Sequence, residues 1–307
     1  MFWHFVLNLA LLWQVATVPT VLPWHGPVLQ PEGNIVSWPE QRVAGHEAPY
    51  KLDNDSLGVD IKADSAAVMD WDSGVLLWQK QIQVIRPIAS LTKLMTALVW
   101  LDQQTDPEKV MRISTDDYRT GGRYYIFTGE EIKTRDLFYA TLVASDNTAA
   151  ITLARSTGLD MEQFVAAMNT KAKAIGMHDT HFVEPTGLDN NNVSTAADML
   201  KLARQAFADP DIVNASSRSD YSYTIQNTSR KVYVISTDNL LDSYLDIIAG
   251  KTGYLDEAGG CLVTVAKNEG GHKIIAIALG SSDQYSRFSD IKAMLQWTWD
   301  NYAWPIN

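Results

Sequence analysis

Short apolar runs near both ends of the folded part of the chain predict β-strands. Residues 66–71 and 75–78 are two such runs, separated by Asp72, Ser73 and Gly74. Two strands joined by a short turn that contains glycine form a hairpin. Residues 261–266 and 273–279 predict a second hairpin, with two glycines in its connection. Strands are therefore expected from distant parts of the sequence.

Between these strands, apolar residues recur at helical spacing. The predicted helices span 90–102, 134–144, 148–155, 161–175, 195–206 and 284–304. Thr195 with Asp198 matches a capping box at the start of the fifth helix. The last helix is rich in tryptophan, and we expect it to pack against the sheet rather than contact a membrane.

This order of elements predicts an α+β fold. One antiparallel sheet would be built from distant segments and flanked by helices, with an inserted helical lobe. A cleft between the lobe and the sheet is the expected place for a functional site.

The N-terminal sixty residues have a different character from the rest. Residues 5–18 form a short apolar run, so 1–22 is predicted to be a signal peptide or an N-terminal anchor. Six prolines between residues 19 and 49 indicate an extended linker, which we predict at residues 23–60. We expect an exported protein, periplasmic or in the cell envelope, that the first segment could tether to a membrane. The folded body is predicted at 61–307.

Composition excludes several classes of partner. The 307 residues are 46% hydrophobic, which suffices for a core, and the formal net charge is -11. An acidic chain without a basic stripe is not expected to bind nucleic acid. Cys261 is the only cysteine, which excludes an intrachain disulfide and a thiolate metal cluster, and its apolar neighbours predict a buried strand.

Ser90 and Lys93 are the first candidate catalytic pair. Ser90 precedes an apolar-periodic run, so it should lie near a helix N-terminus, where free N–H groups stabilise negative charge. Lys93 would share its helical face, and a lysine in a desolvated cleft can lose its proton near neutral pH. We expect Lys93 to be the base for a nucleophilic Ser90. Ser289 and Lys292 have the same spacing, but we interpret them as a solvated helical face.

A second motif, Ser145, Asp146 and Asn147, falls between two predicted helices. Ser145 would relay a proton to the departing amine, and Asn147 would hold Lys93 and the substrate amide. Asp146 should point elsewhere. Taken alone, these residues are also typical of an ordinary interhelical turn.

A third motif, Lys251, Thr252 and Gly253, precedes Tyr254 and follows an apolar run, which suggests a strand at the edge of a pocket. Lys251 would supply positive charge, Thr252 would bind a terminal carboxylate, and Gly253 would let the substrate approach the backbone. The N–H groups of Tyr254 and Ser90 could form an oxyanion hole. As a lone tripeptide, this motif could equally be a turn.

No cofactor is expected. His178 and His181 are spaced like metal ligands, but no acidic or cysteine ligand is placed near them, so we predict no metal site. Phosphate loops, dinucleotide fingerprints and G-x-S-x-G elbows do not occur in the sequence.

The three motifs together resemble those of the D-alanyl-D-alanine carboxypeptidase family, serine peptidase family S11, which are low-molecular-mass penicillin-binding proteins. The similarity extends through residues 87–97 and 182–188, and also covers 251–254, Ala258 and Gly259. It is strongest with the short, penicillin-binding protein 7-like members, which are D,D-endopeptidases.

The resemblance implies that 61–307 is a D,D-peptidase catalytic domain with a β-lactamase/transpeptidase-like fold. It implies Ser90 as the acyl-ester nucleophile, Lys93 as the proton acceptor, Ser145 as the second catalytic serine and Lys251 as a substrate-binding residue. The expected partners are peptidoglycan stem peptides, with β-lactam antibiotics as covalent inhibitors.

Two alternatives remain open at this point. A class A β-lactamase shares the three motifs but needs a glutamate in E-x-x-L-N to activate water. Here Glu184 precedes Leu188 and Asn190 at a different spacing, which makes it a weak candidate for that role. The other alternative is a catalytically idle wall-binding or sensor module, against which the intact Ser90, Lys93 and Ser145 argue.

Overall fold

The computed structural model describes residues 47–305, and the predicted signal or anchor segment 1–22 lies outside them. The helices are α1 Thr92–Asp102, α2 Thr134–Val143, α3 Asn147–Ser156, α4 Met161–Ala174, α5 Ala196–Ala206, α6 Pro210–Ser216 and α7 Ser286–Asn301. The longer strands are β2 Ser65–Asp70, β3 Leu76–Lys80, β8 Asp220–Thr224, β9 Lys231–Ile235, β10 Asp246–Leu255, β11 Gly259–Lys267 and β12 Lys273–Ser281. The short strands are β1 Tyr50–Lys51, β4 Arg86–Pro87, β5 Val110–Arg112, β6 Glu131–Lys133, β7 Val193–Ser194 and β13 Tyr302–Ala303.

The central sheet confirms the predicted α+β architecture. Its five strands are antiparallel in the order β10-β11-β12-β2-β3, so the two predicted hairpins, β2–β3 and β11–β12, are joined by pairing of β2 with β12. Strand β10, which carries Lys251, lies at one edge. Cys261 is fully buried in β11, as predicted, and burial raises the pKa of its thiol to about 11.

The sheet is covered on both faces, which explains why its strands are almost continuously apolar. Successive side chains of a strand point to opposite faces. In β12, Ile275 and Ile277 join the core shared with α1, α2 and α5, while Ile274 and Ala276 join the core under α7. Helix α1 lies inside the larger core, where Thr92 through Trp100 are all buried. Helix α1, which carries Lys93, is therefore held on every side.

Most predicted helices match the structure within one or two residues at their ends, but the last one is shorter than predicted. Helix α7 stops at Asn301, and Tyr302–Ala303 form β13, paired with β1. Residues inside the predicted linker thus contact the body: Trp297 Nε1 donates to Oγ of Ser56 at 2.7 Å. The hairpin β8–β9 was missed, although Val232 and Val234 alternate with exposed residues there. Among residues 47–305 there is no helix with the length and apolar character needed to cross a bilayer.

Replacing Ile277 by alanine is expected to lower the free energy of unfolding by about 2–5 kcal/mol, because the cavity left in a packed core adds to the lost burial. The matched control is Ile235→Ala in β9, where the side chain is 47% exposed; a change within about 0.5 kcal/mol is expected there. Denaturant unfolding of both variants measures the difference. Equal losses would contradict the assignment of Ile277 to the interior.

Candidate active site

Ser90 lies in a tight turn that leads into α1. Residues Ala89–Leu91 form one turn of 3₁₀ helix, and Ala89 has φ +48°, an uncommon value for a residue with a side chain. Oγ1 of Thr92 donates to the Ala89 carbonyl at 2.8 Å and so closes the turn. The Ser90 side chain is partly exposed at the N-terminus of α1, where unpaired N–H groups favour negative charge.

Lys93 is fully buried, and its amine contacts three oxygens. Nζ lies 2.8 Å from Oγ of Ser90, 2.7 Å from Oδ1 of Asn147 and 2.7 Å from the Thr186 carbonyl oxygen. The amide and the carbonyl oxygens can only accept hydrogen bonds, whereas the hydroxyl can donate. A neutral amine has two N–H groups and one lone pair, so it satisfies this set with the lone pair directed at the Ser90 hydroxyl. The geometry suits transfer of the Ser90 proton to Lys93.

Burial also allows the amine of Lys93 to be neutral near physiological pH. Loss of solvation lowers the pKa of Lys93 to about 7, although Glu184 and Asp146 act in the opposite direction. A base with its pKa close to the working pH combines a useful unprotonated fraction with adequate basicity.

The second motif occupies the turn between α2 and α3. Ser145 has φ +58°, and its side chain is partly exposed. Asp146 points away from the cleft, as expected, because its carboxylate accepts from the Ala149 N–H and caps α3. Asn147 is the first residue of α3; it accepts from Lys93, and its Nδ2 donates to the Gly121 carbonyl at 3.0 Å.

Lys251 reaches the second motif from the edge strand β10. Its Nζ donates to Oγ of Ser145 at 2.8 Å and to the Thr252 carbonyl at 2.9 Å. Burial, followed by repulsion from Lys93 and Arg287, lowers the pKa of Lys251 well below its usual value. An arriving anion would offset both effects, so this lysine is suited to binding a carboxylate.

The remaining residues of the third motif line the same cleft. A Cβ at position 253 would lie 3.0 Å from the backbone nitrogen of Ser90, so a side chain there would crowd the N–H expected to face an oxyanion. Oγ1 of Thr252 shares a hydrogen bond with Oγ1 of Thr237. Tyr254 is 41% exposed, and its hydroxyl donates to Asp256 at 3.0 Å.

Sequence reasoning missed several residues that contact the motifs. Thr186 acts through its carbonyl, Thr237 through its hydroxyl, and Arg287 donates to the Gly253 carbonyl at 2.7 Å. The one available signal for Thr186 was that the resemblance to the family extends through residues 182–188. His181 pairs with Val193 through its backbone, and within residues 47–305 His, Cys, Asp and Glu side chains do not gather in groups of three that could hold a metal ion.

Comparison with known proteins identifies the family. A model described as D-alanyl-D-alanine carboxypeptidase, peptidase family S11, matches residues 51–283. The chain belongs to this family. It is a serine-type D-alanyl-D-alanine peptidase, a hydrolase of the carboxypeptidase and endopeptidase class, and the β-lactamase alternative is not favoured.

Individual S11 relatives and solved structures agree with this assignment. The chain is 32% identical to a D-alanyl-D-alanine endopeptidase of Escherichia coli over 80% of each chain, and 33% identical to one of Pseudomonas aeruginosa over 78% of each. The crystal structure of the Streptomyces K15 DD-transpeptidase has a TM-score of 0.75 at 27% identity and covers 80% of this chain and 100% of its own. The fold expected from the sequence is therefore confirmed.

The rate of acylation by a fluorescent penicillin is expected to rise with pH and to level off above about pH 7. Below the pKa of Lys93 the amine carries a proton and cannot accept another, so the rate should fall about tenfold per pH unit. Lys93→Met should label about 10²–10⁴-fold more slowly, without this dependence. A wild-type rate that is flat between about pH 5 and 8 would contradict the assignment.

Proposed function

We propose that this S11 peptidase hydrolyses the D-alanyl bond of peptidoglycan stem peptides through an acyl ester on Ser90. The observation that carries the proposal is the contact set of Lys93, whose amine has a single partner able to donate a proton, the Ser90 hydroxyl. Proton acceptance by a positioned amine is the activation that a serine nucleophile needs.

In the proposed mechanism, Oγ of Ser90 attacks the D-alanyl carbonyl while its proton passes to Lys93. The developing oxyanion is stabilised by the N–H groups of Ser90 and Tyr254, next to the open space at Gly253. The C–N bond then breaks, and Ser145, held by Lys251, delivers its proton to the departing amine and takes up the proton carried by Lys93. The oxygen of a water molecule then bonds to the acyl carbon as the ester bond to Ser90 breaks; one proton of this water returns to Oγ of Ser90, and the other is lost as the product leaves as a carboxylate.

Substrate binding is assigned to the Lys251 side of the cleft. Lys251 and Thr252 would hold the anionic end of the substrate, and Asn147 would hydrogen-bond its amide while it fixes Lys93. A β-lactam would enter the same way and remain as a long-lived ester. We infer no role for a metal ion or an organic cofactor.

We favour cleavage of cross-linked dimers over removal of a terminal alanine. The support is that relatives at 32–34% identity, from Escherichia coli, Pseudomonas aeruginosa and Haemophilus influenzae, are named D-alanyl-D-alanine endopeptidases. The leaving amine would then belong to the second stem peptide. The substrate is a cell-wall polymer, so we further propose export to the cell envelope, with 1–22 as signal or anchor.

Intact mass spectrometry after treatment with benzylpenicillin tests the nucleophile. The wild type should gain one adduct, and Ser90→Ala should gain none, because the hydroxyl that forms the ester is absent. Ser289→Ala is the matched control, since it removes the serine of the second S-x-x-K match, on the exposed face of α7, and should label fully. Sustained turnover of a chromogenic cephalosporin would instead favour the β-lactamase alternative.

Separate digestion of purified muropeptide monomers and dimers tests the reaction. We expect dimers to be split into monomers, with little release of free D-alanine from monomers, as read by chromatography and mass. Ser90→Ala provides the background rate. Loss of a single alanine from monomers, with dimers left intact, would make the protein a carboxypeptidase.

A further inference from the structure

The segment 184–192 forms one wall of the active site and contacts the Ser90 turn and α1 at several points. It contains no regular secondary structure, yet its backbone is fixed against residues on both sides of the nucleophile. The contacts are Ile88 N–H to Asn192 carbonyl at 3.1 Å, Lys93 Nζ to Thr186 carbonyl at 2.7 Å and Thr96 Oγ1 to Pro185 carbonyl at 2.6 Å. This wall therefore sets where the base and the nucleophile lie.

Gly187 shows how closely the wall approaches the nucleophile. A Cβ at this position would lie 1.9 Å from the carbonyl oxygen of Ala89, which is shorter than any permitted van der Waals contact. The backbone of Gly187 also has φ +81°. Only glycine fits such a backbone approach. The backbone of the wall is thus in direct contact with the Ser90 turn at Gly187.

A single carboxylate holds the segment in this conformation. The oxygens of Glu184 accept hydrogen bonds from donors that all lie within the next eight residues. These donors are the Thr186 N–H at 2.7 Å, the Thr186 hydroxyl at 2.6 Å, the Gly187 N–H at 2.5 Å, the Leu188 N–H at 3.0 Å and the Asn192 amide at 2.7 Å. A carboxylate has about four lone-pair sites, so its accepting capacity is filled by protein.

This geometry does not favour the role that the sequence suggested for Glu184, which was to position a water molecule. A general base for water needs a free lone pair directed into the cleft. Here both oxygens face the backbone of their own segment. The carboxylate instead binds the N–H and the hydroxyl of Thr186, two positions along the chain, whose carbonyl oxygen contacts Lys93.

We propose that Glu184 is a positioning residue for acylation. Its carboxylate organises the 184–192 wall so that the Thr186 carbonyl orients the Lys93 amine towards Ser90. The negative charge of Glu184 also acts on that amine. The inference rests on the proposed function, because it takes Lys93 to be the base. Glu184 acts through Lys93 and is not expected to touch the substrate.

The electrostatic part of the proposal follows from the groups that face Lys93. From the wall, Glu184 raises the pKa of Lys93, and from the α2–α3 turn Asp146 does the same more weakly. Lys251 on β10 also faces this group, and there the effect runs the other way, because Lys93 lowers the pKa of Lys251. Loss of the Glu184 charge should therefore lower the pKa of Lys93. The acidic limb of the acylation rate would then move to lower pH.

Glu184→Gln tests both parts of the proposal. A glutamine directs an NH₂ group at backbone donors, so the wall should loosen and the plateau rate of penicillin acylation should fall about 10- to 100-fold. The acidic limb should shift to lower pH. The rate is expressed per labelled site, counted by intact mass, so that any misfolded fraction does not enter it.

Two further variants separate charge from reach. Glu184→Asp keeps the charge on a shorter side chain, so it should lower the plateau rate while leaving the limb at its wild-type position. Asp189→Asn is the matched control, because Asp189 is exposed in the same segment and, among residues 47–305, its side chain accepts only from Asn191. This variant should match the wild type in its plateau rate and in the position of the acidic limb of its pH dependence.

Several results would overturn the proposal. If Glu184→Gln is acylated at the wild-type rate, Glu184 has no positioning role. If its rate is lower by the same factor at every pH, so that the acidic limb does not move, Glu184 has only a structural role. If Glu184→Gln does not fold, a limb that moves in Glu184→Asp would count against the charge effect. Failure of the proposed function has a different signature: wild-type protein that penicillin does not acylate, or Lys93→Met that labels at full speed.

Discussion

The hydrogen bonding of one buried amine constrains the rest of this active site. Lys93 is fully buried, so protein atoms must supply the hydrogen-bond partners of its Nζ. Asn147 and Thr186 supply acceptors that cannot donate, and the remaining direction falls to Ser90. The same burial lowers the pKa of the amine. The packing around α1 thus determines both the proton affinity of the Lys93 amine and the direction from which the Ser90 hydroxyl meets it.

Keeping this arrangement requires backbone conformations that the residues themselves disfavour. Ala89 and Ser145 both have positive φ, and such residues each cost on the order of 1–3 kcal/mol. They persist because their neighbours are over-determined: α1 is enclosed on all sides, Asp146 caps α3, and Gly187 packs directly on Ala89. A sheet buried on both faces supplies the stability that offsets this local strain.

The sequence predicts those features that repeat or that reside in side chains. Period-2 and helical spacing locate the two main hairpins and most helices, and side-chain chemistry identifies Ser90, Lys93 and Lys251. Thr186 escapes such reasoning because it contributes a backbone carbonyl, which every residue carries. The end of α7 escapes it because Tyr302–Ala303 pair with Tyr50–Lys51, a contact that spans almost the whole described chain and leaves no local pattern.

That terminal pairing also fixes where Tyr50 and Lys51 lie on the body. The β1–β13 ladder sits beside β3, where the Tyr302 hydroxyl donates to the Leu77 carbonyl, whereas Lys251 lies in β10 at the far edge of the same sheet. Four strand spacings, roughly 19 Å, separate those two edges. Tyr50–Lys51 therefore lie on the side of the sheet remote from Lys251.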